Sequence, residues 1–220
     1  MKNVTLLGRG PSLQYLSILP DSELVVLAND FDIEISQIKE LSDYLKKQTI
    51  HLVLNMVKHN ANGYNAINFF TEFNVVKLIR PYLNGIRVPG SSGQSIPLEE
   101  NFLGDNHKEF MFQGGLKYPY DYAGTGLAAF AYTMLDTKAD VVNVLGLDFY
   151  DNLTYGNPNY LVKDKDGRDF VRDFWKPEDM QENVCKLVNG RPDVQVNLHT
   201  ICKNFIGGME DIQNLNIIKY

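Results

Sequence analysis

Two short stretches of this chain carry the residue types that chemistry at a sheet edge requires. The first is Gly8-Arg9-Gly10-Pro11-Ser12-Leu13. It follows the apolar run Val4–Leu7, and its glycines allow positive φ and a close approach of backbone to a ligand. Pro11 can open the next helix or turn. Ser12 offers a hydroxyl as a cap or as a phosphate donor. Arg9 can pair with a phosphate or a carboxylate. The dinucleotide fingerprint needs a third glycine where Leu13 stands, and a Walker A loop needs Gly-Lys-Ser/Thr, so the loop is neither. Without a ligand, the same residues make a tight strand-to-helix turn. The second stretch is Val144-Leu145-Gly146-Leu147-Asp148-Phe149-Tyr150. Asp148 there can accept from a ribose hydroxyl or a base amine, or it can cap the neighbouring turn.

The elements that must position these loops are legible as short apolar runs. Val4–Leu7 ends at Gly8 and Val141–Leu145 ends at Gly146, as buried parallel strands feeding tight turns do. Leu24–Ala28, Ile50–Leu54, Val75–Ile79 and Val194–Leu198 read as four more strands. Between them, Ile35, Ile38, Leu41 and Leu45 mark one helix over Ile35–Lys47. Leu127–Leu135 is small and apolar on nearly every side and reads as a buried helix. Pro177–Val188 has Pro177, Glu178 and Asp179 in its first turn and Lys186 near its end, which suits the helix dipole. Strands alternating with helices predict an α/β fold: one domain over 1–220, mainly parallel sheet, helices on both faces. Ligands of such sheets bind at the carboxyl edge. Two polar stretches interrupt the pattern. Pro89–Pro97 is a loop rich in Gly, Ser and Pro, and Asp151–Asp173 carries NPN and DKDG turns. The second predicts a lid over 151–176, or else a plain surface loop.

At this point the sequence resembles the bacterial sialyltransferases of glycosyltransferase family 42. Gly8-x-Gly10-Pro11-Ser12-Leu13 is similar to that family's G-x-G-P-S-L opening. Thr125-Gly126 before a small-residue helix resembles its T-S-G helix, and Gly146-Leu147-Asp148-Phe149-Tyr150 its G-I-D-F-Y segment. Asn29 and Asn55 fall where the family keeps asparagines after its second and third strands. The G-L-D-F-Y block is the more specific, because the first loop is shared with other Rossmann-like proteins, archaeal pterin diphosphokinase-like proteins among them. The resemblance implies a Rossmann-like domain with a lid, a CMP-activated sugar as donor, a glycan acceptor, inversion at the anomeric centre, and no metal or other cofactor. It implies that Gly10, Ser12 and Asn29 contact the donor, with Gly8, Arg9 and Pro11 completing that loop. Asn55 and Thr125, beside Gly126, would bracket sugar and phosphate, and Gly146, Asp148 and Phe149 would hold the cytidine. Tyr150 and Tyr155 would hydrogen-bond the departing phosphate, the second one residue closer than in the family. Phenol hydroxyls aimed there stabilise negative charge more in the transition state than in the ground state. Packing under a lid is the other use for those tyrosines.

The family's general-base histidine has no counterpart. Asp173-Phe174-Trp175-Lys176-Pro177 stands in its place, and the four histidines are His51, His59, His107 and His199. The base that takes the acceptor's hydroxyl proton typically contributes about 10²–10⁴-fold. His199 follows the last core-like run and is the candidate base, with Asp173 the other choice. The family's arginine before the T-S-G helix is also absent, and Tyr122 lies near its place. Rival readings remain. A metal-dependent sugar-nucleotide transferase would use a D-x-D pair, either Asp164-Lys165-Asp166, which reads as a solvated turn, or Asp30-Phe31-Asp32, which reads better as a helix N-cap. A pterin diphosphokinase-like enzyme would need ATP and Mg²⁺. A non-catalytic nucleotide-binding domain is the third.

Composition narrows the class further. The formal net charge of -6 over 220 residues argues against a general nucleic-acid binder, which needs a basic surface. Hydrophobic residues at 44% allow a full core. Cys185 and Cys202 fit no zinc spacing and read as reduced thiols. No signal-peptide core or run of about 20 apolar residues occurs, so a cytoplasmic protein is expected. Peripheral membrane contact and a homo-oligomer stay open.

Overall fold

The computed structural model describes residues 1–29, 31–53, 56–58, 72–81, 95–97, 111–116, 125–149 and 177–220. Among them, eight strands form one parallel sheet: β1 (Asn3–Leu7), β2 (Leu24–Ala28), β3 (Ile50–Val53), β5 (Val75–Pro81), β7 (Met111–Leu116), β8 (Val141–Leu145), β9 (Gln195–Thr200) and β10 (Leu215–Lys219). Their order is β10-β9-β8-β1-β2-β3-β5-β7, and each neighbouring pair is parallel. The short strands β4 (Met56–Lys58) and β6 (Ser95–Pro97) pair antiparallel with each other. From β1 the chain steps outward through β2, β3, β5 and β7, then crosses back to β8 on the other side of β1 and steps outward again. The direction of winding therefore reverses between β1 and β8, which opens a crevice at their carboxyl ends. This is a Rossmann-like α/β arrangement.

The two faces of the sheet follow from strand alternation. Val4, Leu6, Val26, Ala28, Val142, Val144, Val196 and Leu198 face the buried helix α3 (Thr125–Asp136) and α4 (Pro177–Asn189). Leu7, Val25, Leu27, Ile50, Leu52, Leu78 and Leu145 face a 3-10 helix over Pro11–Ile18 and the helices α1 (Asp32–Gln37) and α2 (Lys39–Leu45). Helices on both sides explain why the central strands read as continuous apolar runs. Beyond β1 the second face turns polar. Asn143 donates to Asn3 Oδ1 at 2.7 Å, Asn197 to Asn143 Oδ1 at 2.9 Å, and Asn216 to Asn197 Oδ1 at 3.5 Å, a row of amides across β1, β8, β9 and β10.

Several boundaries differ from the sequence expectation. The single helix over Ile35–Lys47 is two, because Ile38 adopts an extended conformation (φ -110, ψ 95) between α1 and α2. The break lets Glu34 reach the first glycine loop while Leu41 and Leu45 stay in the core. The N-cap position of α1 is Phe31, its ring buried and no side chain capping it, and Asp32 is the first helical residue. The N-cap position thus falls between the two residues of the acidic pair; Asp30 and the Asp32 side chain lie outside the described residues, as do Asp164-Lys165-Asp166. The strand expected at Val194–Leu198 runs instead over Gln195–Thr200 and takes in His199. Strands β7 and β10 were not expected: the glycines of Met111–Leu116 break its apolar pattern, and Leu215–Lys219 has only three apolar residues. The lid expected over 151–176 lies outside the described residues. Among those described, no helix is long and apolar enough to cross a membrane.

Candidate functional site

The crevice between β1 and β8 is built by backbone contacts between its two loops. Gly8 N–H donates to Leu145 O at 2.7 Å and Gly10 N–H to Gly146 O at 2.8 Å. The loops approach so closely that a Cβ on Gly8 would sit 2.3 Å from Gly146 O, and one on Gly146 2.1 Å from Gly8 O. The close approach expected of these glycines is thus made to each other. Positive φ belongs to the second loop, at Gly146 (φ +79), while Gly10 is extended at φ -74.

Two side chains lock this arrangement. Ser12 Oγ accepts Gly146 N–H at 2.8 Å, so its buried hydroxyl oxygen serves the partner loop, not the cap of its own helix. Asp148 Oδ2 accepts Ser12 N–H at 2.8 Å. Its Oδ1 accepts Thr200 Oγ1–H at 2.8 Å and Ile201 N–H at 3.1 Å. Asp148 is only 7% exposed and ties together the segments that follow β1, β8 and β9. Sequence spacing gave no hint of Thr200, which holds Asp148 from the third segment and also accepts Cys202 N–H at 3.0 Å.

The remaining expected residues fall around this hub. Pro11 opens the 3-10 helix as anticipated. Asn29 ends β2 in the left-handed region (φ 70), which asparagine tolerates, with its N–H donated to Val53 O at 2.9 Å. Thr125 and Gly126 form the first turn of α3, and a Cβ on Gly126 would meet Leu147 Cδ1 at 3.2 Å. That approach sets the first turn of α3 against the Gly146 loop, and the positive end of a helix favours an anion. Phe149 has a buried ring and a positive φ of 52, a conformation a bulky residue adopts only under constraint from its surroundings. Asn55, Tyr150 and Tyr155 lie outside the described residues.

Compared with protein-family models, curated proteins and solved structures, the chain matches none.

Two expected residues are placed away from the hub. Arg9 Nε donates to Glu34 Oε1 at 2.8 Å, so of the two kinds of partner open to it, it takes a carboxylate of its own chain. Glu34, which sequence reasoning did not single out, is 2% exposed. His199 is the clearer departure. It does not follow the last strand but lies inside β9, opposite Leu145 and Ile218. Strand alternation turns it to the face opposite Leu198 and Thr200. There its Nδ1 lies 2.6 Å from Tyr220 Oη, and the Tyr220 ring stacks on Tyr15 at 4.3 Å. Burial lowers the His199 pKa. A second histidine, His51, meets Tyr132 Oη at 2.9 Å beneath α3. Burial first, then the charges of Lys77 and Lys2, lower its pKa to about 4.

Proposed function

We propose that the chain binds a CMP-activated sugar in the crevice between β1 and β8 and transfers the sugar to a glycan acceptor, with inversion and without a metal, as a sialyltransferase-like enzyme. The observation that carries this reading is the pairing of the two glycine loops through Asp148, with the first turn of α3 against them. That is a rigid crevice at the point of winding reversal, with a helix N-terminus ready for phosphate. The constrained backbone at Phe149 also suits a site, since such conformations cluster where ligands are held. In this reading the phosphate lies at the first turn of α3 and the cytidine against residues 146–149. Because the Asp148 carboxylate and the Ser12 hydroxyl already hold the loops, the nucleotide meets the surface they shape. Tyr150 and Tyr155 would donate to the departing phosphate as the sugar–phosphate bond breaks. The acceptor hydroxyl attacks the opposite face of the sugar, and a base removes its proton.

A second reading, a nucleotide-binding domain without transfer, is favoured by His199, which is turned from the hub and held by Tyr220. Calorimetric titration with CMP in EDTA, then with Mg²⁺, beside UDP and ATP, tests the nucleotide half. Micromolar CMP binding in EDTA supports it; binding of ATP or UDP alone, and only with metal, sinks it in favour of the pterin diphosphokinase-like or D-x-D enzymes. Hydrolysis of a CMP-sugar by the bound protein then separates transferase from binder.

A further inference from the structure

Strand β10 ends the sheet, so among the described residues one side of it has no neighbouring strand. Its pairing with β9 fixes which backbone groups face that open side. Val196 N–H donates to Asn214 O at 2.8 Å and Tyr220 N–H to Thr200 O at 3.1 Å, with Leu215 opposite Val196 and Lys219 opposite Thr200. Residues 214, 216, 218 and 220 therefore turn their backbone groups toward β9, and residues 215, 217 and 219 turn theirs outward. Leu215 N–H is already used, donating to Ile212 O at 3.0 Å. That leaves Leu215 O and the N–H and C=O of Ile217 and Lys219, which have no hydrogen-bond partner among the described residues. Such an open row is a template for another strand, and proteins guard it with proline, a bulge, charge or a covering segment. Strand β10 has no proline, and its register with β9 runs without a bulge. Its charged residue, Lys219, is held to its own chain: Nζ lies 2.6 Å from Glu210 Oε1 and 4.7 Å from the centre of the Phe205 ring. Ile217 and Ile218 are half-buried and Asn216 is exposed.

We propose that this edge pairs with the same edge of a second copy of the chain, antiparallel about a two-fold axis at Ile217. The outward groups complement themselves in that register. Ile217 N–H donates to the partner's Ile217 O, and Lys219 N–H to the partner's Leu215 O, each bond repeated by the symmetry. Leu215 is asked only for its carbonyl, the group it has free. Ile217 then faces the partner's Ile217, a β-branched cross-strand pair, and Asn216 faces the partner's Ile218. Lys219 lies opposite the partner's Leu215, and Glu210 already balances its charge, so the two copies meet without repulsion between like charges. A second copy added parallel would leave an open edge after each addition and grow without end, whereas the two-fold pairing closes on itself. Pairing joins the two 8-stranded sheets into one whose halves run in opposite directions. The crevices between β1 and β8 then open at opposite edges of that sheet, and neither copy completes the other's site. The pairing does not depend on what the crevice binds.

Sedimentation velocity of the unaltered chain from about 5 to about 200 µM reads the association, and Ile217→Pro tests the edge. Proline there removes only an outward N–H, the kind of position where edge strands tolerate it. The unaltered chain should sediment as a dimer at the upper end of the range, and the substitution should raise the dissociation constant at least about tenfold with the circular dichroism spectrum unchanged. A monomer across the whole range, or a dimer that Ile217→Pro leaves equally tight, overturns the proposal. Should Ile217→Pro not fold, a chain carrying Asn216→Cys and Ile218→Cys decides. In the proposed register these positions face each other as a close pair without backbone hydrogen bonds. Mild oxidation should then link position 216 of one copy to position 218 of the other, read by mass spectrometry of the linked peptides. A link that is absent, or formed only within one chain or through Cys185, overturns the pairing.

Discussion

Asp148 shows how one side chain can draw the loops of a crevice together. It accepts from Ser12 N–H, Thr200 Oγ1–H and Ile201 N–H, three donors from two segments that sequence separates by up to 189 positions, from Ser12 to Ile201. Removing a buried acceptor strands its donors. Asp148→Ala is therefore expected to lower unfolding free energy by about 3 kcal/mol, read from urea midpoints at constant slope. Tyr150 makes the opposite kind of prediction. If its phenol serves the leaving phosphate, Tyr150→Phe should cut turnover of a CMP-sugar by about 10²-fold while CMP affinity stays within about twofold. Unchanged turnover removes the tyrosine from the mechanism. The chemistry of both residues is visible in the G-L-D-F-Y string, but whether Asp148 faces a ligand or its own chain depends on Thr200 and Ile201, which no local spacing brings into view.

At the scale of elements, α3 does most to place the crevice. Its residues Leu127–Met134 are all buried, and Ala128, Ala129 and Ala131 alternate there with the large side chains of Phe130, Tyr132 and Met134 in the core. Small residues let the helix lie close, which brings Gly126 against Leu147. Ala131→Leu would force α3 away from the strands and should cost about 1–3 kcal/mol, with weakened nucleotide binding as the sign that the first turn has moved from the Gly146 loop. The small apolar composition made this helix readable in advance. The break at Ile38 was not, because Ile35, Ile38, Leu41 and Leu45 keep helical spacing across it. On one side of the break Glu34 accepts from Arg9, and on the other Leu41 and Leu45 pack in the core, partners that local spacing does not reveal.

At the scale of the whole molecule, His51 and His199 sit where burial makes folding sensitive to acid. His51 binds its proton less readily when folded, with a pKa of about 4 against an ordinary 6.5, and burial lowers His199 in the same direction. Between about pH 6.5 and pH 4 the unfolded chain thus holds more protons at His51 than the folded one, so stability rises with pH through that window and is lost as pH falls. His51→Gln, which keeps a partner for Tyr132 Oη, should flatten part of the fall in melting temperature between about pH 7 and pH 4; an unaltered slope would mean that His199 and the carboxylates account for all of it. By itself the sequence determined the α/β class, six of the strands, the two long helices and the two glycine loops, because those features rest on local pattern: apolar runs that stop at glycine, and caps that stop helices. Tertiary structure alone decided the strand order, the reversal between β1 and β8, and the uses of the polar residues. Ser12 and Asp148 bind neighbouring loops, Arg9 binds Glu34, and His199 is turned to Tyr220 by one more pair of residues in β9. The physical reason is the same in each case: a polar group brought out of water takes the partner that folding sets beside it, and that partner comes from a distant part of the chain.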